Sequence, residues 1–182
     1  VSSVAEYQNI PYLGARPNIR ALAEDKHLAK MMALYAKVQT PEWQIYNIGE
    51  EFTKPSFEPP YFCKPRFGAA SQGIDETSVC TSWDDARNKI KKLHSLHMDV
   101  ILERQIKGIY HTSPVLNNFG DYMYLPCIAQ HSILYGGIVT YEQKRKIAHG
   151  LTREIVRDQV LQSQLHAASK KMYPLIQPLD YK

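Results

Sequence analysis

The chain has 182 residues, 44% apolar and 22% charged, with a formal net charge of +4 at pH 7. That is ordinary for a globular protein of one substantial domain or two small ones. No apolar run approaches the ~18 residues that would span a membrane, and the first twenty residues lack a charged region followed by an apolar core. The basic excess is small and no base-stacking aromatic motif accompanies it, which argues against a nucleic-acid partner. Cys63, Cys80 and Cys127 form no CxxC pair and each lies in or beside an apolar run, so they read as buried reduced thiols in a cytoplasmic protein. Internal repeats and low-complexity segments are absent.

In chain order, Asn18 to Val38 has helix-forming composition, with apolar residues at Ile19, Leu22, Ala23, Leu28, Met31, Met32 and Tyr35. Pro17 is placed to start that helix and Thr40-Pro41 to close it. Gln44 to Asn47 is a short strand candidate, and Ile48 to Pro60 reads as a loop. Pro59-Pro60 and Pro65 punctuate a strand at Tyr61 to Cys63. Ser82 is an N-cap with Asp84 and Asp85 in the first turn, and Trp83, Ala86, Ile90 and Leu93 recur at helical spacing. Lys89, Lys91 and Lys92 read as a solvated face of that helix, and His94 and His97 as solvated rather than metal-bound.

Val100 to Leu102 reads as a buried strand ending on Glu103 and Arg104, with a glycine turn at Gly108. Thr112 to Leu116 and Tyr122 to Ala129 flank a hairpin connection at residues 117–121. Leu151 to Met172 is a long helix candidate. Strands and helices in this mixed order suit α+β layers better than a doubly wound sheet.

The chemistry concentrates at Tyr61-Phe62-Cys63-Lys64-Pro65-Arg66-Phe67-Gly68-Ala69-Ala70-Ser71-Gln72-Gly73-Ile74. A strand delivers Lys64 to a turn, and the residues from Gly68 to Ser71 carry no bulk, so backbone N–H groups and the Ser71 hydroxyl can approach an anion. A lysine point charge beside exposed amides suits a polyphosphate better than a carboxylate. This is not a Walker A loop, because the lysine comes first and no Gly-Lys-Ser/Thr follows. Cys63 beside Lys64 reads as a core cysteine, not an activated thiol.

Four segments in order resemble the ATP-grasp ligases, most closely the D-alanine-D-alanine ligase branch. They are Ala23-Glu24-Asp25-Lys26, Cys63-Lys64-Pro65 with its loop, Ile101-Leu102-Glu103-Arg104-Gln105-Ile106-Lys107-Gly108, and Tyr141-Glu142-Gln143-Lys144. The resemblance runs from about Ile10 to about Lys146. It implies an α+β, ATP-grasp-like fold: residues 1–17 ending an amino-terminal substrate domain, 18–116 forming the middle (lid) domain, and 117–182 starting a carboxy-terminal domain. The chain then reads as a piece of a longer ligase or a truncated product.

The resemblance further implies an ADP-forming carboxylate-amine ligase that uses ATP and Mg2+, acts on amino acids through an acyl phosphate, and serves peptidoglycan biosynthesis. A homodimer is the assembly to look for. Lys26 and Lys64 match the lysines that contact the phosphates, and Ser71 a serine of the lid loop over the γ-phosphate and the intermediate. Glu103, Arg104 and Ile106 match the segment that reads adenine, and Lys144 the lysine of a mobile loop over the phosphates. Asp180 falls near the place of a magnesium-binding aspartate, while a following Glu-x-Asn segment is absent. Two departures stand out: Gly68-Ala69-Ala70-Ser71 replaces Glu-Gly-Ser-Ser in the lid, and Tyr110 stands where an acid contacts the ribose. They leave room for the alternative, a non-catalytic nucleotide-binding module.

Overall fold

The computed structural model describes residues 2–12, 14–118, 121–133, 137–145 and 150–176. Three helices open the chain: α1 (Ser2–Tyr7), α2 (Pro17–Glu24) and α3 (Lys26–Tyr35). Pro17 does start α2, but the single helix expected from Asn18 to Val38 is two. The break is at Asp25, which is extended (φ −87°, ψ 103°) and accepts hydrogen bonds from the backbone N–H groups of His27 and Leu28, capping α3. The chain leaves α3 through Ala36 and a left-handed Lys37, ahead of Thr40-Pro41. The apolar positions read for this segment divide: Ile19 is buried, whereas Leu28, Met31 and Tyr35 are exposed.

A four-stranded antiparallel sheet follows, in the order β1-β4-β2-β3, from β1 (Trp43–Tyr46), β2 (Tyr61–Pro65), β3 (Val79–Cys80) and β4 (Val100–Arg104). One face is covered by α4 (Trp83–Ser95). Ser82 caps α4 in a reciprocal capping box with Asp85, so the start of this helix follows from local chemistry. Ala86, Ile90 and Leu93 form a core with Tyr46, Phe57, Tyr61, Cys63, Cys80, Val100 and Leu102, with Trp83 packed against it. All three cysteines are free and buried.

Two residues of the α4 segment depart from the solvated face expected of them. Lys89 is only 3% exposed, and its ammonium reaches the Asp75 carboxylate at 2.7 Å, which Lys92 also contacts at 3.0 Å. Against its own burial, the Lys89 hydrogen bond and those of Thr77 and Lys92 hold the Asp75 carboxyl well below the usual range. His94 packs edge-on to Phe52 and donates from Nε2 to the Tyr46 carbonyl at 3.1 Å, while His97 lies beyond the end of the helix in a left-handed conformation.

Beyond residue 104 the chain enters a second antiparallel sheet, in the order β5-β8-β9: β5 (Tyr110–Thr112), β8 (Ile128–Ser132) and β9 (Leu151–Ile155). The expected hairpin lies between β5 and β8 as β6 (Val115–Asn118) and β7 (Asp121–Tyr124), paired from Val115↔Tyr124 to Asn118↔Asp121, so the strands extend further into the connection than expected. A short α5 (Tyr141–Arg145) precedes β9. The helix expected from Leu151 is strand for its first five residues, and only α6 (Gln159–Met172), capped by Asp158, is helical. Leu161 and Leu165 of α6 pack on Cys127, Ala129 and Val156. No helix among the described residues is long and apolar enough to cross a membrane.

Candidate functional site

Strand β2 separates core from cleft by its pleat. Tyr61, Cys63 and Pro65 point into the core, leaving Phe62 and Lys64 on the opposite face. Glu103 pairs directly across from Phe62 in the register with β4 and so shares that face. The Lys64 ammonium lies 2.7 Å from Glu103 Oε2, and Lys30 of α3 reaches Oε1 at 3.2 Å. Lys30 also donates to Thr40 Oγ1 and the Pro41 carbonyl. Lys30 is a member of this cluster that sequence reasoning missed. Its position inside an amphipathic-looking helix gave no signal, since its partner lies 73 residues downstream on β4.

Lys26, the first residue of α3, lines the same cleft. Its backbone N–H donates to the Arg66 carbonyl, and its ammonium donates to the carbonyls of Arg66, Phe67 and Gly68 at 3.4, 3.4 and 2.9 Å. The adjoining Asp25 carboxylate takes a two-pronged hydrogen bond from Arg66, at 3.0 and 2.8 Å. The junction of β2 with its loop is thereby tied to the start of α3. Burial, reinforced by the nearby Lys64 charge, brings the Lys26 pKa down to about 8.

The small-residue loop folds beside these ammonium groups. Gly68, Ala70, Ser71 and Gly73 all have positive φ, so the loop turns sharply over a few residues. Opposite it, β5 and β8 supply Tyr110, Thr112 and Gln130, with Gln130 Nε2 donating to Thr112 Oγ1 at 2.9 Å. Burial and then the Glu103 charge push the Tyr110 phenol upward, which keeps it a hydrogen-bond donor at neutral pH. Lys144 enters from α5, whose start is fixed by a reciprocal pair: Thr140 N–H to Gln143 Oε1 and Gln143 N–H to Thr140 Oγ1.

Together these groups line one cleft of about 350 Å³. It brings together Lys26, Lys64, Ser71, Tyr110 and Lys144, five of the residues singled out by sequence, along with Ile138 and Val139. Glu103 backs the cleft through Lys64 without lining it. Arg104 points away, paired with Glu42 at 2.6 Å, and Ile106 is 65% exposed. Neither side chain lines the cleft. Asp180 lies outside the described residues.

A cleft between two antiparallel sheets, with lysines from separate elements and a small-residue loop along one wall, is the arrangement of an ATP-grasp protein. No family model matches the chain. It is 26% identical over 175 residues to a D-alanine-D-alanine ligase of Clostridium botulinum strain 657, covering 94% of this chain and 54% of the relative. With the ligase of strain Eklund 17B it shares 30% identity over 132 residues, covering 71% and 42%. Among solved structures, the Bacillus anthracis D-alanine-D-alanine ligase complexed with ATP superposes with a TM-score of 0.73 at 20% identity, over 96% of this chain and 54% of that one. The VanG D-Ala:D-Ser ligase of Enterococcus faecalis gives 0.74 at 17%, over 96% and 51%. The chain is a D-alanine-D-alanine ligase-like ATP-grasp protein, and it spans about half the length of the relatives it matches.

Proposed function

We propose that the cleft binds ATP and that the chain is the nucleotide-binding part of an ADP-forming carboxylate-amine ligase of the D-alanine-D-alanine ligase type. The observation that carries this reading is the convergence of Lys26, Lys64 and Lys144, from α3, β2 and α5, on one cleft walled by the loop at Gly68 to Gly73. In such a reaction a substrate carboxylate oxygen attacks the γ-phosphorus of ATP and ADP leaves. An amine then attacks the acyl carbon of the acyl phosphate, and inorganic phosphate departs. The lysines would neutralise charge on the transferring phosphoryl group, and the Ser71 hydroxyl would donate to it. The loop would shield the intermediate from water. The reading takes residues 1–17, 18–116 and 117–182 as parts of three domains, amino acids as substrates and the cytoplasm as location. The magnesium ligand it calls for, Asp180, is outside the described residues, and no step is assigned to that ion.

Calorimetric titration of ATP into the chain tests the reading. Lys64→Met should weaken binding at least about tenfold, the loss of one charge-assisted contact in a partly buried site, while the chain still unfolds cooperatively. Unchanged affinity removes Lys64 from the site. The second reading, a nucleotide-binding module without catalysis, is favoured by one observation: among the described residues the cleft lining holds no carboxylate. ATP binding with no ADP formed when amino acids are added selects it.

A further inference from the structure

Arg66 directly follows β2, yet its side chain is not part of the cleft lining. Its guanidinium engages Asp25 instead: Nε and Nη2 donate to the two carboxylate oxygens at 3.0 and 2.8 Å, a fork that lysine cannot make. Both side chains are largely buried, at 17% and 6% exposure. Nη1 reaches Asn47 Oδ1 at 3.4 Å, and the guanidinium lies 4.8 Å from the centre of the Phe67 ring. The backbone of the same residue is held as well. Its N–H donates to the Asp99 carbonyl at 2.8 Å, and its carbonyl accepts from the backbone N–H and the ammonium of Lys26 at 3.1 and 3.4 Å.

Asp25 caps α3 and Lys26 is the first residue of that helix, so whatever grips Asp25 also sets where the Lys26 side chain begins. The two residues are linked electrically too. Burial first and then the Lys64 charge lower the Lys26 pKa to about 8, and the carboxylates of Glu103, Asp25 and Glu24 act the other way. Glu103 is paired with Lys30 and Lys64, and Glu24 with Arg20 on an exposed helix face. Asp25 is buried beside Lys26, and Arg66 is its partner. Against the burial of Asp25, the Arg66 hydrogen bond and the N–H groups of His27 and Leu28 hold its carboxyl below the usual range, so it stays ionised at neutral pH. Without the guanidinium, this carboxylate would stand uncompensated next to the Lys26 ammonium and to any phosphate bound there.

We infer that Arg66 is a positioning residue of the phosphate site: by neutralising Asp25 and gripping the start of α3, it holds the Lys26 ammonium beside the loop, available to a bound polyphosphate. The inference rests on the nucleotide reading above and deepens it, adding a residue that acts through Lys26.

The test reads Lys26 itself. In the full chain carrying isotope-labelled lysine, the Cε signal that disappears in Lys26→Met is titrated by NMR, and ATP is titrated calorimetrically into the same samples at pH 7. Arg66→Met should raise the Lys26 midpoint by about half a pH unit or more, because a neighbouring carboxylate loses its counter-charge. It should also weaken ATP binding about threefold or more. In an Asp25→Asn background, which keeps the capping oxygen and drops the charge, the same Arg66→Met change should shift the midpoint less than half as far. A role confined to stability would lower Tm in both backgrounds and leave the Lys26 midpoint of the folded chain where it was. An unchanged midpoint in Arg66→Met, or equal shifts in the two backgrounds, overturns the inference, while ATP binding by the parent chain leaves the nucleotide reading intact. If Arg66→Met alone does not fold, the comparison of Asp25→Asn with the double variant decides, since neither buries an unpaired carboxylate. A shift there above about 0.3 pH unit overturns the inference, and a smaller one supports action through Asp25. No ATP binding by the parent chain overturns the nucleotide reading and this inference with it.

Discussion

Replacing Glu103 removes the negative charge shared by the buried Lys30 and the half-buried Lys64. At an effective dielectric of about 20, the contacts at 3.2 and 2.7 Å correspond to attractions of about 5 and 6 kcal/mol. The desolvation of three charges and the repulsion between Lys30 and Lys64 offset most of this. The measurable quantity is the one-sided loss. For Glu103→Leu, which leaves two ammonium groups without a counter-ion, it is about 3–5 kcal/mol. Glu103→Gln keeps an acceptor oxygen and should lose about 3 kcal/mol, a fall in Tm of roughly 6–12 °C for a chain of this size. Urea unfolding followed by circular dichroism reads both variants. The double variant Glu103→Leu, Lys30→Met should recover about 1 kcal/mol or more over Glu103→Leu alone, because it removes one of the stranded charges. A Glu103→Gln loss under about 1 kcal/mol, or no recovery in the double variant, would refute the view that this carboxylate balances the cluster.

Two further outcomes follow from groups beside the cleft. Lys26 has a folded pKa of about 8, lowered by burial and then by Lys64. An anion binds the ammonium form, so nucleotide affinity should fall as pH rises through about 8, and Lys26→Met should flatten that limb of the profile. Because folding lowers this pKa, the same group makes the fold more stable as pH rises from about 8 toward the ordinary lysine value. Gly73 has φ +72°, and a Cβ there would lie 2.5 Å from Pro65 Cγ, a rigid ring in the core, so Gly73→Ala should cost about 2–4 kcal/mol. Gly49 (φ +88°) has open space around its Cβ position, and Gly49→Ala should cost only about 1–2 kcal/mol. Equal losses in the two urea titrations would show that the contact with Pro65 contributes nothing.

What could be read in the sequence was what local chemistry decides. The prolines around Tyr61 to Cys63 delimit β2, Ser82 with Asp85 starts α4, and the strand at Val100 to Leu102 is apolar throughout. Ordered motifs singled out Lys26, Lys64, Ser71, Tyr110 and Lys144, and all five line one cleft. What stayed hidden depends on partners far away in sequence. Asp25 interrupts the first long helix because Arg66, 41 residues on, takes its carboxylate. Lys89 is buried because Asp75 waits in a loop outside its helix. Leu151 and Ile155 are spaced like helix neighbours, yet pairing with β8 makes the segment an edge strand. Glu103 is set by its neighbours too: with both oxygens on lysines, it acts through Lys64.

The alternation along β2 makes this strand intolerant of changes in length. It pairs with β4 from Tyr61 to Pro65 and with β3 at Tyr61 and Phe62, and these two partners fix its register. One residue inserted between Tyr61 and Phe62 would turn Lys64 toward Ile90 and Leu93, and Cys63 toward the cleft. Substitutions at Phe62 could reshape the wall one side chain at a time, whereas a single-codon insertion here would exchange the protein's interior for its binding surface.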